Sequence, residues 1–159
     1  MKINYLFPKK YKKIGWFIFI PTLILGLYTV ITEFEPEFLD VNVFAILIEG
    51  VFQDDNRLYG FVNNNILNEI LGVLMIFSSI LVAFSREVDE DEYISKIRLE
   101  SLVWATYLNY GVLLIAFLFV FDLTFFWVMI FNMFTILLFF IIRFNWQVIK
   151  FRKSVDYEK

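Results

Sequence analysis

Residues 99–142 read LESLVWATYLNYGVLLIAFLFVFDLTFFWVMIFNMFTILLFFII, in which the only charged side chains are Glu100 and Asp122. A transmembrane helix needs about 20 mostly apolar residues to cross roughly 30 Å of hydrocarbon. The stretch therefore holds two spans, about 99–121 and 123–142, with Asp122 between them. A connection that short joins antiparallel neighbours. Two further runs qualify: IGWFIFIPTLILGLYTVIT over 14–32, which carries Pro21 as a predicted kink, and ILNEILGVLMIFSSILVAF over 66–84. The expected fold is an all-α, polytopic membrane protein with four transmembrane helices and a single integral membrane domain over 1–159.

Composition points the same way. The 159 residues are 60% hydrophobic and 21% aromatic, with a mean hydropathy of +0.69. Soluble domains are about 45–50% apolar. The excess has to face lipid, which argues against a soluble enzyme, a disordered chain and a disulfide scaffold.

A fifth apolar run, VNVFAILIEGVF over 41–52, is too short to span. Wound as a helix it sets Asn42, Glu49 and Gln53 against Phe44, Leu47, Ile48 and Val51, which predicts a helix lying in the membrane interface in the first extracytoplasmic loop. The other reading of this run is an apolar loop folded over the helix ends.

Lysine and arginine set orientation because they resist translocation. Of 14 basic residues, only Arg57 falls between the first two spans. Lys2, Lys9, Lys10, Lys12 and Lys13 precede the first span, Arg86, Lys96 and Arg98 separate the second from the third, and Arg143, Lys150, Arg152, Lys153 and Lys159 follow the fourth. Both termini are expected in the cytoplasm of a bacterial inner membrane. The loop over 33–65 is acidic, with Glu33, Glu35, Glu37, Asp40, Glu49, Asp54 and Asp55. The basic start followed by a long apolar run reads as a retained anchor, since no small-residue cleavage site follows it.

The chain has no His and no Cys. Haem ligation by His, thiolate metal sites, disulfide exchange and nucleophiles activated by His are thereby excluded. Phosphate-cradling glycine loops are also missing. No cofactor is expected, and the chain reads as a non-enzyme. A carboxylate metal site at Asp54, Asp55 and Asn56 competes with ordinary turn chemistry at the same residues.

Polar residues at membrane depth are expensive and are the default site candidates. Asn68 and Glu69 open the second span, and Glu69 shares helical spacing with Gly72, Ile76, Ser79 and Ala83, a face expected to point inward. It is either a cation or proton site or an interface carboxylate bonded to nearby Asn or Tyr. Asn109 in the third span, on a stripe with Ser101 and Ala105, and Asn132 and Thr135 in the fourth complete the set. Asn109 and Thr135 lie at similar distances from Asp122, so they are placed to bond across the hairpin. The first span has its own stripe of Gly15, Thr22, Gly26 and Thr29.

The cytoplasmic run SREVDEDEYISKIRLES over 85–101 carries the candidate docking residues Asp89, Glu90, Asp91, Glu92, Lys96 and Arg98. Asp89 with Glu92 three residues on predicts a helix start, and Glu92 with Lys96 a favourable i, i+4 pair. The segment is either a capped, solvated helix beginning or a surface for a partner. After Ile142 the tail interleaves Phe144, Trp146 and Phe151 with Lys150, Arg152 and Lys153, a pattern of headgroup anchoring. No nucleic acid is expected as a partner.

Taken together, LFPKKYKKIGW, NNNILNEILGVL, AFSREVDEDEYISKIRLESLVWATYLNY and NMFTILLFFIIRFN resemble an uncharacterised family of small four-span bacterial integral membrane proteins. Its most recognisable element is D-E-x-I-x-x-x-R before the third span, here Asp91, Glu92, Ile94 and Arg98. The element is similar to ones in small membrane proteins encoded beside helix-turn-helix regulators. The resemblance implies fold and membrane location, and it supplies no activity. The leading expectation is a non-enzymatic accessory or regulatory protein acting through a protein partner or as a homo-oligomer in the lipid bilayer. The alternatives are an oligomeric channel or small transporter using Glu69 and the intramembrane Asn residues, and a structural subunit of a larger membrane complex.

Overall fold

The computed structural model describes residues 5–48, 57–88 and 90–157. The element order is α1 (Lys10–Thr32), a 3-10 turn (Glu37–Leu39), β1 (Asp40–Ile48), β2 (Arg57–Asn65), α2 (Leu67–Ala83), α3 (Glu92–Phe119) and α4 (Asp122–Tyr157). Three helices, α1, α3 and α4, are long and apolar enough to cross a membrane. α2 is an apolar helix of 17 residues, about 25 Å long. The chain divides into two compact units, Met1–Ile20 with Met75–Lys159, and Pro21–Leu74.

In the first unit α3 and α4 lie antiparallel over their length. Their ring contacts run in opposite chain directions: Tyr93 with Phe151 at 4.4 Å, Trp104 with Phe139 at 6.4 Å and Phe117 with Phe125 at 5.7 Å. The turn is two residues long because Val120 N donates to Ala116 O at 2.8 Å and Asp122 takes a left-handed φ of 58°. Aspartate is among the few side chains that tolerate that conformation, and at a helix start its charge also suits the dipole. α4 continues as one helix through the aromatic and basic tail.

The core of this unit sits at the end away from that turn. Val82 and Ala83 of α2, Ile94, Ile97 and Ala105 of α3, and Phe140, Ile141, Phe144 and Val148 of α4 are buried. Phe84, Phe140 and Phe144 stack in sequence, each centroid 5.6 Å from the next. Toward the turn the same helices expose Leu114, Ile115, Phe117, Phe119 and Phe126. A surface of that kind is stable against acyl chains rather than water.

α1 meets α2 at Gly15, where a Cβ would lie 2.9 Å from Val82 Cγ2 and 3.0 Å from both Leu81 Cβ and Val82 N. Backbone on the opposing side cannot rotate away. Gly15→Ala is expected to destabilise the protein by about 1–3 kcal/mol, read from unfolding in mild detergent. Just before α1, Phe7 pairs with the segment after α2: Phe7 N donates to Phe84 O and Arg86 N to Phe7 O, both at 2.9 Å. The start of α1 and the end of α2 are thus joined by backbone as well as by packing.

In the second unit the expected interfacial helix is replaced by a strand. Asp40–Ile48 pairs antiparallel with Arg57–Asn65, in the register Asn42 opposite Asn63, Phe44 opposite Phe61 and Ile46 opposite Tyr59. Residues 49–52 of that expectation lie outside the described residues. The physical reason is pairing: a helix of about twelve residues is marginal alone, while β-branched Val41, Val43, Ile46 and Ile48 suit a strand once a partner satisfies the backbone. Alternation then puts Asn42, Phe44 and Ile46 on one face, where helical winding had opposed Asn42 to Phe44. The fold is therefore mostly helical with a two-stranded sheet, not all-α. At the base of the hairpin Asn65 Nδ2 donates to Pro36 O at 2.8 Å and to Asp40 Oδ1 at 2.7 Å, and its Oδ1 accepts from Leu67 N at 3.2 Å. One asparagine thereby fixes β2 against the 3-10 turn and the first turn of α2.

Candidate functional site

The polar residues of the first unit converge on the segment between α2 and α3. Arg98, on the second turn of α3, is 4% exposed. Its Nη1 donates to Ala83 O at 2.8 Å and its Nη2 to Ser85 O at 3.3 Å, so a guanidinium completes the C-terminus of α2, where carbonyls lack helical donors and the dipole favours a cation. The same Nη2 reaches both Glu90 oxygens, at 3.1 and 3.0 Å. Beneath it lies Phe144 of α4, with Arg98 Cζ 4.4 Å from the ring centroid. Glu90 in turn accepts from Glu87 N at 2.8 Å.

Glu87 is the second centre. It is buried, and it is bonded by Lys12 Nζ from the first turn of α1 and by Arg152 Nη2 from α4 at 3.1 Å. Lys12 Nζ also donates to Asn145 Oδ1 at 2.9 Å and stands 5.6 Å from the Phe144 centroid. Three cations and two carboxylates, contributed by α1, the α2–α3 segment, α3 and α4, thus form one network around a buried phenylalanine. Burying such charges is tolerable only because each has an opposite partner and most of the remaining donors have acceptors.

The candidate docking residues are divided by this geometry. Glu90 and Arg98 turn inward. Asp91, not Asp89, caps α3, its Oδ1 accepting from Ile94 N at 2.7 Å, and Asp89 lies outside the described residues. Glu92 and Lys96 are exposed on α3. Lys96 lies 3.9 Å from Glu100, one turn further along. Of the D-E-x-I-x-x-x-R element, Asp91 is a cap, Ile94 a core side chain and Arg98 a clamp.

The intramembrane candidates remain separate. Glu69 is exposed, not turned inward, and accepts from Asn64 Nδ2 at 2.8 Å, so the carboxylate is bonded to a neighbouring asparagine at the base of the hairpin. Asn68 is exposed beside it. On that helix the inward face begins further along, at Ser78, Ser79 and Ala83. In the other unit Asn109 is 3% exposed and its Oδ1 has no hydrogen-bond partner. Thr135 does not supply one, because its hydroxyl donates to Phe131 O of its own helix at 2.8 Å. Asn132 is half-buried on α4. Asn109→Leu removes an unsatisfied buried carbonyl at similar volume and is expected to stabilise the protein by about 1 kcal/mol in detergent unfolding. A loss of stability of that size would show that the amide has a partner of its own.

Among the described residues no group of three or more His, Cys, Asp or Glu converges as a metal site. Asp54, Asp55 and Asn56 lie outside the described residues. The network residues that sequence reasoning did not single out as site candidates are Lys12, Glu87, Asn145 and Arg152. Lys12 and Arg152 were visible only as members of the basic flanks, since their contacts to Glu87 link positions 75 and 65 residues apart. No protein family, curated protein or solved structure matches the chain.

Proposed function

We propose that this chain is a non-enzymatic accessory or regulatory protein of the bacterial inner membrane, threaded four times with both termini in the cytoplasm, and that it acts through a protein partner. The observation that carries the topology is the network. It ties the start of α1, the end of α2, the start of α3 and the end of α4 together through Lys12, Glu87, Arg98 and Arg152. If α1 crosses the bilayer and α3 begins where α1 began, the chain has to cross back between them. α2, with Ile66 and Phe84 at its ends, is the apolar segment available, and 17 residues lies at the lower limit for a span. The basic flanks then fall on one side, as retention of Lys and Arg in the cytoplasm requires.

The partner reading rests on what the clamp leaves outside. Arg98, Lys12 and Arg152 hold the α2–α3 segment from within, while Glu92, Lys96 and Glu100 present charge on the exposed side of α3. This supports a fixed, mixed-charge surface for a cytoplasmic or membrane-bound partner. Membership of the family of small four-span bacterial membrane proteins belongs to the same proposal and rests on the resemblance of sequence alone.

A photo-crosslinking residue in place of Lys96, activated in native membranes, tests it. The expected result is a discrete adduct that disappears when Glu100 is changed to Lys, with unfolding unchanged. No adduct, or one indifferent to that reversal, would overturn the partner reading.

A further inference from the structure

Arg143 follows directly on the apolar run of α4, and its guanidinium lies 4.7 Å over the ring of Trp104 of α3. Its Nε is buried without a hydrogen-bond partner, and among the described residues it pairs with no carboxylate. Among the described residues, Lys12 and Arg98, the less exposed cations of the network, each have acceptors. Arg98, with its own Nε unpaired, still makes four bonds through Nη1 and Nη2. A guanidinium at the edge of a hydrocarbon-facing helix pair with no acceptor of its own calls for an external oxyanion.

The surroundings say which kind. Arg143 stands in an open groove of about 400 Å³ between α3 and α4, lined also by Leu99, Glu100, Val103, Trp104 and Tyr107. Glu100 shares the groove and lies 3.9 Å from the exposed Lys96, and among the described residues it makes no ion pair with Arg143. From Trp104, beside the guanidinium, the apolar lining continues along α3 to Tyr107, about 5 Å further from the charged start of the helix, the direction an acyl chain takes from its headgroup into the bilayer.

We infer that this groove is a binding site for an anionic phospholipid, with the phosphodiester on the Arg143 guanidinium and an acyl chain leaving it along Trp104 and Tyr107. The aromatic face of Trp104 holds the guanidinium flat and leaves its N–H edge for the phosphate oxygens, a fork geometry that suits them. The inference requires α3 and α4 to lie in a membrane and is independent of any protein partner.

The test uses the full chain with Trp104 as sole tryptophan (Trp16→Phe, Trp127→Phe, Trp146→Phe), reconstituted in phosphatidylcholine vesicles. Small fractions of brominated phosphatidylglycerol or brominated phosphatidylcholine are then added. Half-maximal quenching of Trp104 is expected at about five-fold lower fraction of the anionic lipid at low salt. Arg143→Gln should remove the preference, Arg143→Lys should keep most of it, and millimolar inorganic phosphate should leave it unchanged. Equal quenching by both lipids, a preference that survives Arg143→Gln, or displacement by inorganic phosphate would overturn the lipid site while leaving the membrane placement intact. Absence of quenching by either lipid would overturn both.

Discussion

Replacing Arg98 with methionine is expected to lower stability in detergent by about 3–5 kcal/mol, the cost of leaving a buried charge without its partner. Two things are lost together. The Glu90 carboxylate, 18% exposed, loses the cation that faces it, and the last carbonyls of α2 lose their donors at Ala83 and Ser85. The second variant that separates these effects is Arg98→Met combined with Glu90→Gln. It should recover part of the loss, because an amide is far less costly to leave unpaired than a carboxylate. Lys96→Met, which removes an exposed cation two residues away, should change stability by less than about 0.5 kcal/mol. A loss below about 1 kcal/mol for Arg98→Met would mean that the network does not hold the helix ends.

Phe144→Ala should be comparably damaging. The ring is fully buried, stacks on Phe140 and lies beneath both Arg98 and Lys12. Truncation removes packing worth about 3–5 kcal/mol at such sites, and it also exposes both cations to a cavity. Phe144→Leu keeps most of the volume and loses the aromatic face. An intermediate loss of about 1–2 kcal/mol is therefore expected, from the lost cation–π contacts. If the leucine variant were as unstable as the alanine variant, the contribution would come from the ring's electrostatics rather than from its volume. The measurement for both is the unfolding midpoint in mild detergent, with helix content as the control for folding.

The parts of this structure that were legible in the sequence are the ones fixed by local repetition. α1, α3 and α4 announce themselves as long apolar runs, and Asp122 marks the turn between the last two because a charge cannot sit mid-span at low cost. The helix start before α3 was also visible, though displaced: four acidic residues in a row, 89–92, offer two aspartates as competing caps, and Asp91 is the one that caps α3. The hairpin was misread because Val41–Phe52 is short enough for helix and strand periodicities to fit equally well. Its assignment depends on Tyr59 and Phe61, which lie across the strand pair rather than nearby in sequence. The ion-pair network was invisible for the same reason. Lys12 meets Asn145 across 133 residues, and nothing in the order of the residues distinguishes it from Lys13, which is exposed. The sequence shows the basic residues clustered at the ends of apolar runs. The structural roles of Lys12, Arg98 and Arg152, and the buried Nε of Arg143 without a partner, came only from the geometry.

The account depends on four helix ends sharing one face of the membrane, and the absence of native cysteine makes a direct measurement clean. Single cysteines at Lys9, Lys96, Lys153 and Glu35, in sealed vesicles of known orientation, can be labelled with a membrane-impermeant maleimide. The account predicts that the first three react from one side and the Glu35 position from the other. Labelling of the Lys9 and Lys153 positions from opposite sides, as three crossings require, would contradict it.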